Sequence, residues 1–216
     1  MTMTLSPEHT LYAKSLIGVL AIVNPLGAIP IFLSLSSGSS PTECRQIARS
    51  SALGVAIILI LSIWAGDGIL AFFGIGIPAF RAGGGLLILL MAISMLHARK
   101  SHTQQTPAEA DEADSKVNIA VVPLAIPLMA GPGAISMVIV DAHQAADLNG
   151  RLILSAGILV VSFLVWLALR LAAPIGMRLG TTGLNIATRI MGLLLAAIGM
   201  QMLTSGMAKL LPGLAH

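Results

Sequence analysis

Six long apolar runs limit what this chain can fold into. They cover residues 12–36, 50–73, 78–97, 118–140, 152–175 and 185–208. A transmembrane helix needs about 20 consecutive apolar residues to cross a hydrocarbon core ~30 Å thick. The runs are continuously apolar, whereas the strands of a membrane β-barrel alternate at every second residue. The sequence therefore predicts an all-α polytopic membrane protein with six transmembrane helices.

The composition excludes several other classes of protein. Only 10% of the residues are charged, against about 25% in soluble domains. There is no basic stripe or aromatic platform for a nucleic-acid partner. A single cysteine, Cys44, excludes an intrachain disulfide and a cysteine-based metal site. We expect no metal and no cofactor. We also expect the first run to be retained, because it contains prolines and lacks the leader and cleavage site of a signal peptide.

Positively charged residues predict the orientation. Six spans place both termini on one side of the membrane, and cytoplasmic loops are enriched in Lys and Arg. Three such residues lie on the side of the termini, namely Lys14, Arg151 and Lys209. Seven lie on the other side, namely Arg45, Arg49, Arg99, Lys100, Lys116, Arg170 and Arg178. Both termini are therefore predicted to be outside, and the polar segment 98–117 is predicted to be a flexible cytoplasmic linker.

The two halves of the chain resemble each other. Residues 81–87 match residues 189–195 at a shift of 108, and residues 27–29 match residues 133–135 at a shift of 106. The predicted units are a first three-helix repeat (1–97), the linker (98–117) and a second three-helix repeat (118–216). Because each half holds an odd number of spans, the two halves must be inverted relative to each other. A 3+3 inverted repeat is typical of secondary transporters that work by alternating access.

Proline and glycine predict that helices 1 and 4 are interrupted near the middle of the membrane. Proline disrupts a helix interior, and glycine permits the conformations of an unwound segment. Free N–H groups at such a break bind a carboxylate, and free C=O groups bind an ammonium group or a small cation, so a zwitterionic amino acid suits both. The alternative is a pair of ordinary proline kinks. The predicted substrate-binding residues are Asn24, Pro25, Gly27, Gly131, Pro132, Gly133 and Ser136.

The same segments carry a resemblance to a known family. Residues 24–30 (NPLGAIP), 122–135 (VPLAIPLMAGPGAI) and 188–195 (TRIMGLLL) resemble the MarC family of prokaryotic inner-membrane proteins, also called the six-helix neutral amino acid transporter family. The resemblance implies six spans, a bacterial or archaeal cytoplasmic membrane and membership of the lysine-exporter-like superfamily. It also implies, for some members, proton-driven transport of glycine, alanine and similar amino acids. It fixes neither the substrate nor the direction of transport.

Charged residues inside the runs are candidates for coupling or gating. Asp67 lies in the second run, where an acid costs roughly 2.5–3.5 kcal/mol on insertion scales. It is interpreted as a structural partner of Arg81, as a proton carrier or as an interfacial residue. Arg81 and Arg189 occupy equivalent positions of the repeat. Each either snorkels to the interface or braces a gate at an interrupted helix.

We therefore expect a secondary transporter of small neutral amino acids, coupled to a proton or alternatively to sodium. The alternatives are an exporter of the same fold, a small-solute channel and a non-transporting membrane scaffold. Assembly into a homo-oligomer is left open. An enzyme is not expected, because Ser136, Asp141 and His143 lack the spacing and the nucleophile elbow of a hydrolytic triad, and no P-loop is present. His143 is interpreted as a solvated loop histidine or, alternatively, as a titrating group.

Overall fold

The computed structural model describes residues 7–97, 129–145 and 147–214, and within these residues the chain is helical with no strand. The first part contains α1 (Pro7–Val23), α2 (Pro25–Leu35), α3 (Pro41–Phe72) and α4 (Ile77–Leu96). The second part contains α5 (Pro132–Ala145), α6 (Leu148–Arg170), α7 (Ala172–Leu210) and a 3-10 turn (Pro212–Leu214).

Five described segments are long and apolar enough to cross a membrane. They are Tyr12–Leu35, which combines α1 and α2, together with α3, α4, α6 and α7. The predicted fourth span begins outside the described residues, and α5 forms its C-terminal part. The predicted linker, 98–117, also lies outside the described residues. The all-α polytopic class predicted from the apolar runs is thus confirmed.

The outer surface of the helices is itself apolar. Phe72 is 84% exposed, Leu193 65% and Leu61 60%. Exposed apolar surface on this scale is avoided in soluble monomers and marks contact with a partner or a membrane. These side chains therefore lie where lipid tails would contact them.

Local sequence sets the helix boundaries. The Ser40 side chain accepts a hydrogen bond from the Glu43 N–H, and the Glu43 carboxylate accepts one from the Ser40 N–H. This reciprocal capping box, with Pro41 in the first turn, starts α3. The Asp147 carboxylate likewise caps α6 by accepting from the Gly150 N–H at 3.1 Å. Within α7, Gly180 has φ 61° and ψ −179°, so the helix is bent just before the predicted sixth span.

Glycines allow α4 and α7 to pack backbone against backbone. A Cβ atom added at Gly85 would lie 2.5 Å from the Leu203 backbone nitrogen, and one added at Gly206 would lie 2.6 Å from the Ala82 nitrogen. Such close approach is the usual role of small residues between membrane helices. Gly83 faces open space. Close packing at residues 83–85 is therefore present at the second and third glycines and absent at the first.

Candidate functional site

The first span changes direction at Asn24. This residue has φ 44° and ψ 66°, the left-handed region, and among the described residues no other non-glycine residue has a positive φ. Asparagine is one of the few residues that tolerate this conformation. Its side-chain oxygen accepts a hydrogen bond from the Gly27 N–H at 3.2 Å, and Pro25 follows as the first residue of α2. The Asn-Pro pair thus ends one helix and caps the next.

The change of direction involves a single residue and no long unwound segment. The Asn24 N–H still donates to the Leu20 carbonyl at 3.0 Å, and the Ala28 N–H still donates to the Asn24 carbonyl at 3.3 Å. The Gly27 N–H is predicted from the sequence to bind a substrate carboxylate. In the structure it donates its hydrogen bond to the Asn24 side chain. A carboxylate can reach that N–H only after the Asn24 side chain has moved away.

The segment at the start of α5 lies beside the first one. Gly131 and Gly133 are buried, whereas Pro132 is exposed. A Cβ added at Gly133 would lie 2.9 Å from the Met91 sulfur, 3.2 Å from Ile88 and 3.7 Å from Ile22, which is two residues before Asn24. The two segments are therefore neighbours, and α4 side chains close the space at Gly133.

Ser136 faces α4. A Cβ added at Gly84 would lie 2.6 Å from the Ser136 Cβ, and Ser136 is buried. The structure therefore brings Gly133 and Ser136 together against α4, while Asn24, Pro25 and Gly27 form a separate cap on α2.

Asp67 has partners that the sequence analysis did not identify. Its carboxylate accepts a hydrogen bond from the Arg151 guanidinium at 2.5 Å and lies 3.0 Å from the His143 Nδ1. The prediction that Arg81 is its partner is wrong. The reason is helix packing, because α3 packs against α5 and α6, whereas α4 packs against α7 and α5. His143 is also not a loop residue, since it lies in the last turn of α5.

Arg81 lies toward Asp141 instead. Helices α4 and α5 are antiparallel, with Met91 and Ile88 against Gly133 and with Gly84 against Ser136. One turn further along this contact, Arg81 comes within electrostatic reach of Asp141. Its Nε is buried and has no hydrogen-bond partner within the described residues. Arg189, its predicted counterpart in the repeat, is exposed.

Asp141 is not among the site residues predicted from the sequence. Its carboxylate accepts a hydrogen bond from the Ser15 hydroxyl at 2.5 Å, although Ser15 lies 126 positions earlier in the chain. The rule that selects Asp67, an acid inside a long apolar run, does not select Asp141, because Asp141 directly follows the fourth run. Ser15 has no comparable signal in the sequence.

Asp141 and Ser15 both line a cavity of about 160 Å³ between α1, α3, α5 and α6. The walls are mainly aliphatic, and Tyr12 adds a third polar side chain. The lining residues are Tyr12, Ala13, Ser15, Leu16, Val19, Ile63, Val138, Asp141, Ile153, Leu154, Gly157 and Ile158. In the described part of the chain no group of three or more His, Cys, Asp or Glu side chains is arranged to hold a metal ion.

Comparisons with known proteins identify the family. The family model for MarC family integral membrane proteins matches residues 9–211. The UPF0056 membrane protein BU267 of Buchnera aphidicola is 41% identical over 97% of both chains, and the UPF0056 membrane protein YhcE of Escherichia coli is 39% identical over the same share. The UPF0056 membrane protein MJ1677 of the archaeon Methanocaldococcus jannaschii is 36% identical over 87% of this chain and 91% of its own. No solved structure matches. The chain belongs to the MarC family and is an integral multi-pass membrane protein with homologues in bacteria and archaea.

Proposed function

We propose that this protein is a secondary transporter of small neutral amino acids such as glycine and alanine, driven by proton symport and working by alternating access. The protein would reside in a bacterial or archaeal cytoplasmic membrane with both termini outside. Its two three-helix halves would form the inverted repeat. The observation that carries the proposal is the left-handed Asn24 kink lying beside the Gly131–Gly133 segment of the other half.

The kink supports binding of a zwitterion near the middle of the membrane. Carboxylates bind well at helix N-termini, where backbone N–H groups and the helix dipole converge, and α2 and α5 both begin at these segments. In the present structure the Asn24 side chain occupies the Gly27 N–H. A substrate carboxylate would replace that side-chain oxygen, and the released Asn24 amide would then be available for the substrate.

Closure at Gly133 supports a conformational cycle. Met91, Ile88 and Ile22 leave no room for substrate oxygens at the Gly133 Cα. Binding would therefore require α4 to move away from α5, and separation of helices from the two halves is the motion that alternating access uses. On this proposal the close contacts at Gly133 belong to a closed state of the cycle.

Three other functions remain as alternatives. An exporter of the same fold would use the same site with the opposite gradient. A small-solute channel would conduct without saturation. A non-transporting membrane scaffold would bind no amino acid. Each alternative predicts a different result in one reconstituted system.

The decisive experiment is uptake and counterflow in proteoliposomes. Radiolabelled glycine and alanine are offered with lysine and glutamate as charged controls, with and without a pH gradient, and with sodium replaced by choline. We expect saturable counterflow of the neutral amino acids and accumulation that requires the pH gradient. Counterflow without neutral amino acid preference would refute the substrate, and its complete absence would refute transport of amino acids.

A matched pair of variants locates the site. Gly133→Val adds an isopropyl group, whose Cβ alone would lie 2.9 Å from the Met91 sulfur and 3.2 Å from Ile88, so we expect counterflow to fall by about tenfold or more. Leu193→Val alters a side chain that is 65% exposed on the outer surface, so counterflow should be unchanged. Equal activity of both variants would place the substrate elsewhere.

A further inference from the structure

We propose that Asp141 is the proton-binding residue of this protein, with Ser15 as its hydrogen-bond partner in the cavity between α1, α3, α5 and α6. Its role in coupling rests on the proposed transport function. Its ability to bind a proton inside the cavity does not.

Asp67 and Asp141 lie at the same end of the helices but have different surroundings. Asp67 is paired with Arg151, and its side chain also contacts His143. Protonation of Asp67 would break a charge pair and leave a partly buried guanidinium without its counter-charge, which is costly. Asp141 makes no ion pair with any of the described residues. It can therefore gain or lose a proton without breaking one.

Ser15 suits both protonation states of Asp141. A serine hydroxyl is one donor and has acceptor lone pairs, so it can donate to the carboxylate and can accept from the carboxylic acid. The hydrogen bond seen here, with Ser15 as donor to the Oδ2 of Asp141, can reverse its direction when a proton binds. Ser15 is therefore a hydrogen-bond partner for Asp141 in either state.

The cavity gives the proton a route. One water needs only about 10–15 Å³ of this kind of volume, and the cavity has about 160 Å³. Tyr12, Ser15 and Asp141 supply the polar partners that ordered water requires, while the remaining lining is aliphatic apart from glycine. The cavity therefore has room for a few waters beside Asp141, and such waters can deliver a proton to its carboxylate.

Charged groups on the neighbouring helices suggest where the Asp141 carboxylate lies after it has released its proton. Tyr12 on α1 lines the same cavity, and the Asp67 carboxylate on α3 contacts Arg151 on α6 and His143 on α5. Arg81 on α4 lies toward Asp141, and its Nε has no partner among the described residues. When Asp141 releases its proton, the carboxylate can turn from Ser15 toward Arg81.

The proton balance of the cycle is simple. The Asp141 carboxylate takes one proton from the cavity and becomes a carboxylic acid hydrogen-bonded to Ser15. After the helices rearrange, the same proton leaves to the other side and Arg81 faces the carboxylate. One proton is moved per cycle.

Infrared difference spectroscopy of the purified protein tests proton binding directly. We expect a carbonyl band of a protonated carboxyl group that fades as the pH is raised. Asp141→Asn should remove the band. Asp147→Asn is the control, because it removes an exposed carboxylate from the same end of the helices and asparagine caps a helix equally well. A band that persists in Asp141→Asn would overturn the proposal.

Proteoliposomes test the coupling. For one proton per substrate, a gradient of one pH unit supports up to about tenfold accumulation. Asp141→Asn should reduce accumulation to the equilibrium ratio of one while keeping counterflow, and Asp147→Asn should behave like the wild type. Gradient-driven accumulation by Asp141→Asn would overturn the coupling role. Absence of counterflow in the wild type would instead refute the proposed transport function, and the infrared result would still decide proton binding.

A second variant covers the case in which Asp141→Asn fails to fold. Ser15→Ala keeps the carboxyl group and removes its hydrogen-bond partner, so the carbonyl band should remain and shift to a higher frequency. An unshifted band would show that the titrating carboxyl group is not the one bonded to Ser15, and the proposal would be wrong.

Discussion

The Asn24 kink can be separated into a backbone role and a side-chain role by two substitutions. Asn24→Ala removes the hydrogen bond to the Gly27 N–H and places alanine at φ 44°. Loss of the cap costs about 1 kcal/mol, and an L-residue in the left-handed region costs roughly 1–2 kcal/mol. The expected total is about 2–3 kcal/mol of unfolding free energy.

Asn24→Gly keeps the backbone conformation and removes the same side chain. Glycine adopts positive φ without strain and costs only a few tenths of a kcal/mol as a capping residue. The glycine variant should therefore be nearly as stable as the wild type. Unfolding in mixed micelles with increasing denaturing detergent compares the three proteins directly.

The glycine variant also isolates the contact between Asn24 and substrate. If the Asn24 amide binds the amino acid, its loss leaves a polar group unsatisfied at about 1–3 kcal/mol, which weakens binding roughly fivefold to 150-fold. Isothermal titration calorimetry with alanine measures this. Equal stability of the alanine and glycine variants would refute the strained kink. Wild-type affinity in the glycine variant would refute the side-chain contact.

Two further predictions concern stability, and thermal unfolding in detergent measures both. Gly85→Ala should cost about 1–3 kcal/mol, because the added methyl group meets the α7 backbone. Gly83→Ala faces open space and should be neutral or stabilising by up to about 1 kcal/mol, so the opposite ranking would contradict the packing of α4 on α7. Asp67→Asn should cost about 1–3 kcal/mol, because Arg151, whose side chain is only 21% exposed, loses its counter-charge. The double variant Asp67→Asn with Arg151→Gln should be little less stable than Asp67→Asn alone. If the stability losses of the two single variants simply add in the double variant, the two residues do not interact.

The features that depend on local sequence were predictable. Apolar runs identified five described spans, and the change of helix at Asn24 follows from an asparagine that tolerates positive φ and a proline that starts the next helix. Ser40, Pro41 and Glu43 predict the start of α3 in the same way. Each of these depends on residues within one or two turns of one another.

The features that depend on which helices are neighbours were not predictable. Asp67 could be recognised as an acid in need of a partner, but the choice between Arg81 and Arg151 depends on α3 packing against α6. The hydrogen bond between Ser15 and Asp141 joins the first span to the fourth, and no pattern in the sequence predicts it. Likewise, three consecutive glycines in α4 look alike in sequence, and only the position of α7 distinguishes Gly83 from Gly85.

Membrane orientation can be tested by cysteine labelling, because the structure has exposed positions at both ends of the helices. The turn between α2 and α3 lies at one end with Arg45 and Arg49 in the first turns of α3, and the turn between α5 and α6 lies at the other. The excess of Lys and Arg predicts that the first end is cytoplasmic. In a Cys44→Ser background, Asn149→Cys should react with a membrane-impermeant maleimide in intact cells, whereas Ser37→Cys should react only after the cells are opened. Both positions are exposed in the structure, so poor access does not explain a negative result. Labelling of Ser37→Cys but not of Asn149→Cys in intact cells would invert the orientation and place the mouth of the Asp141 cavity on the cytoplasmic side.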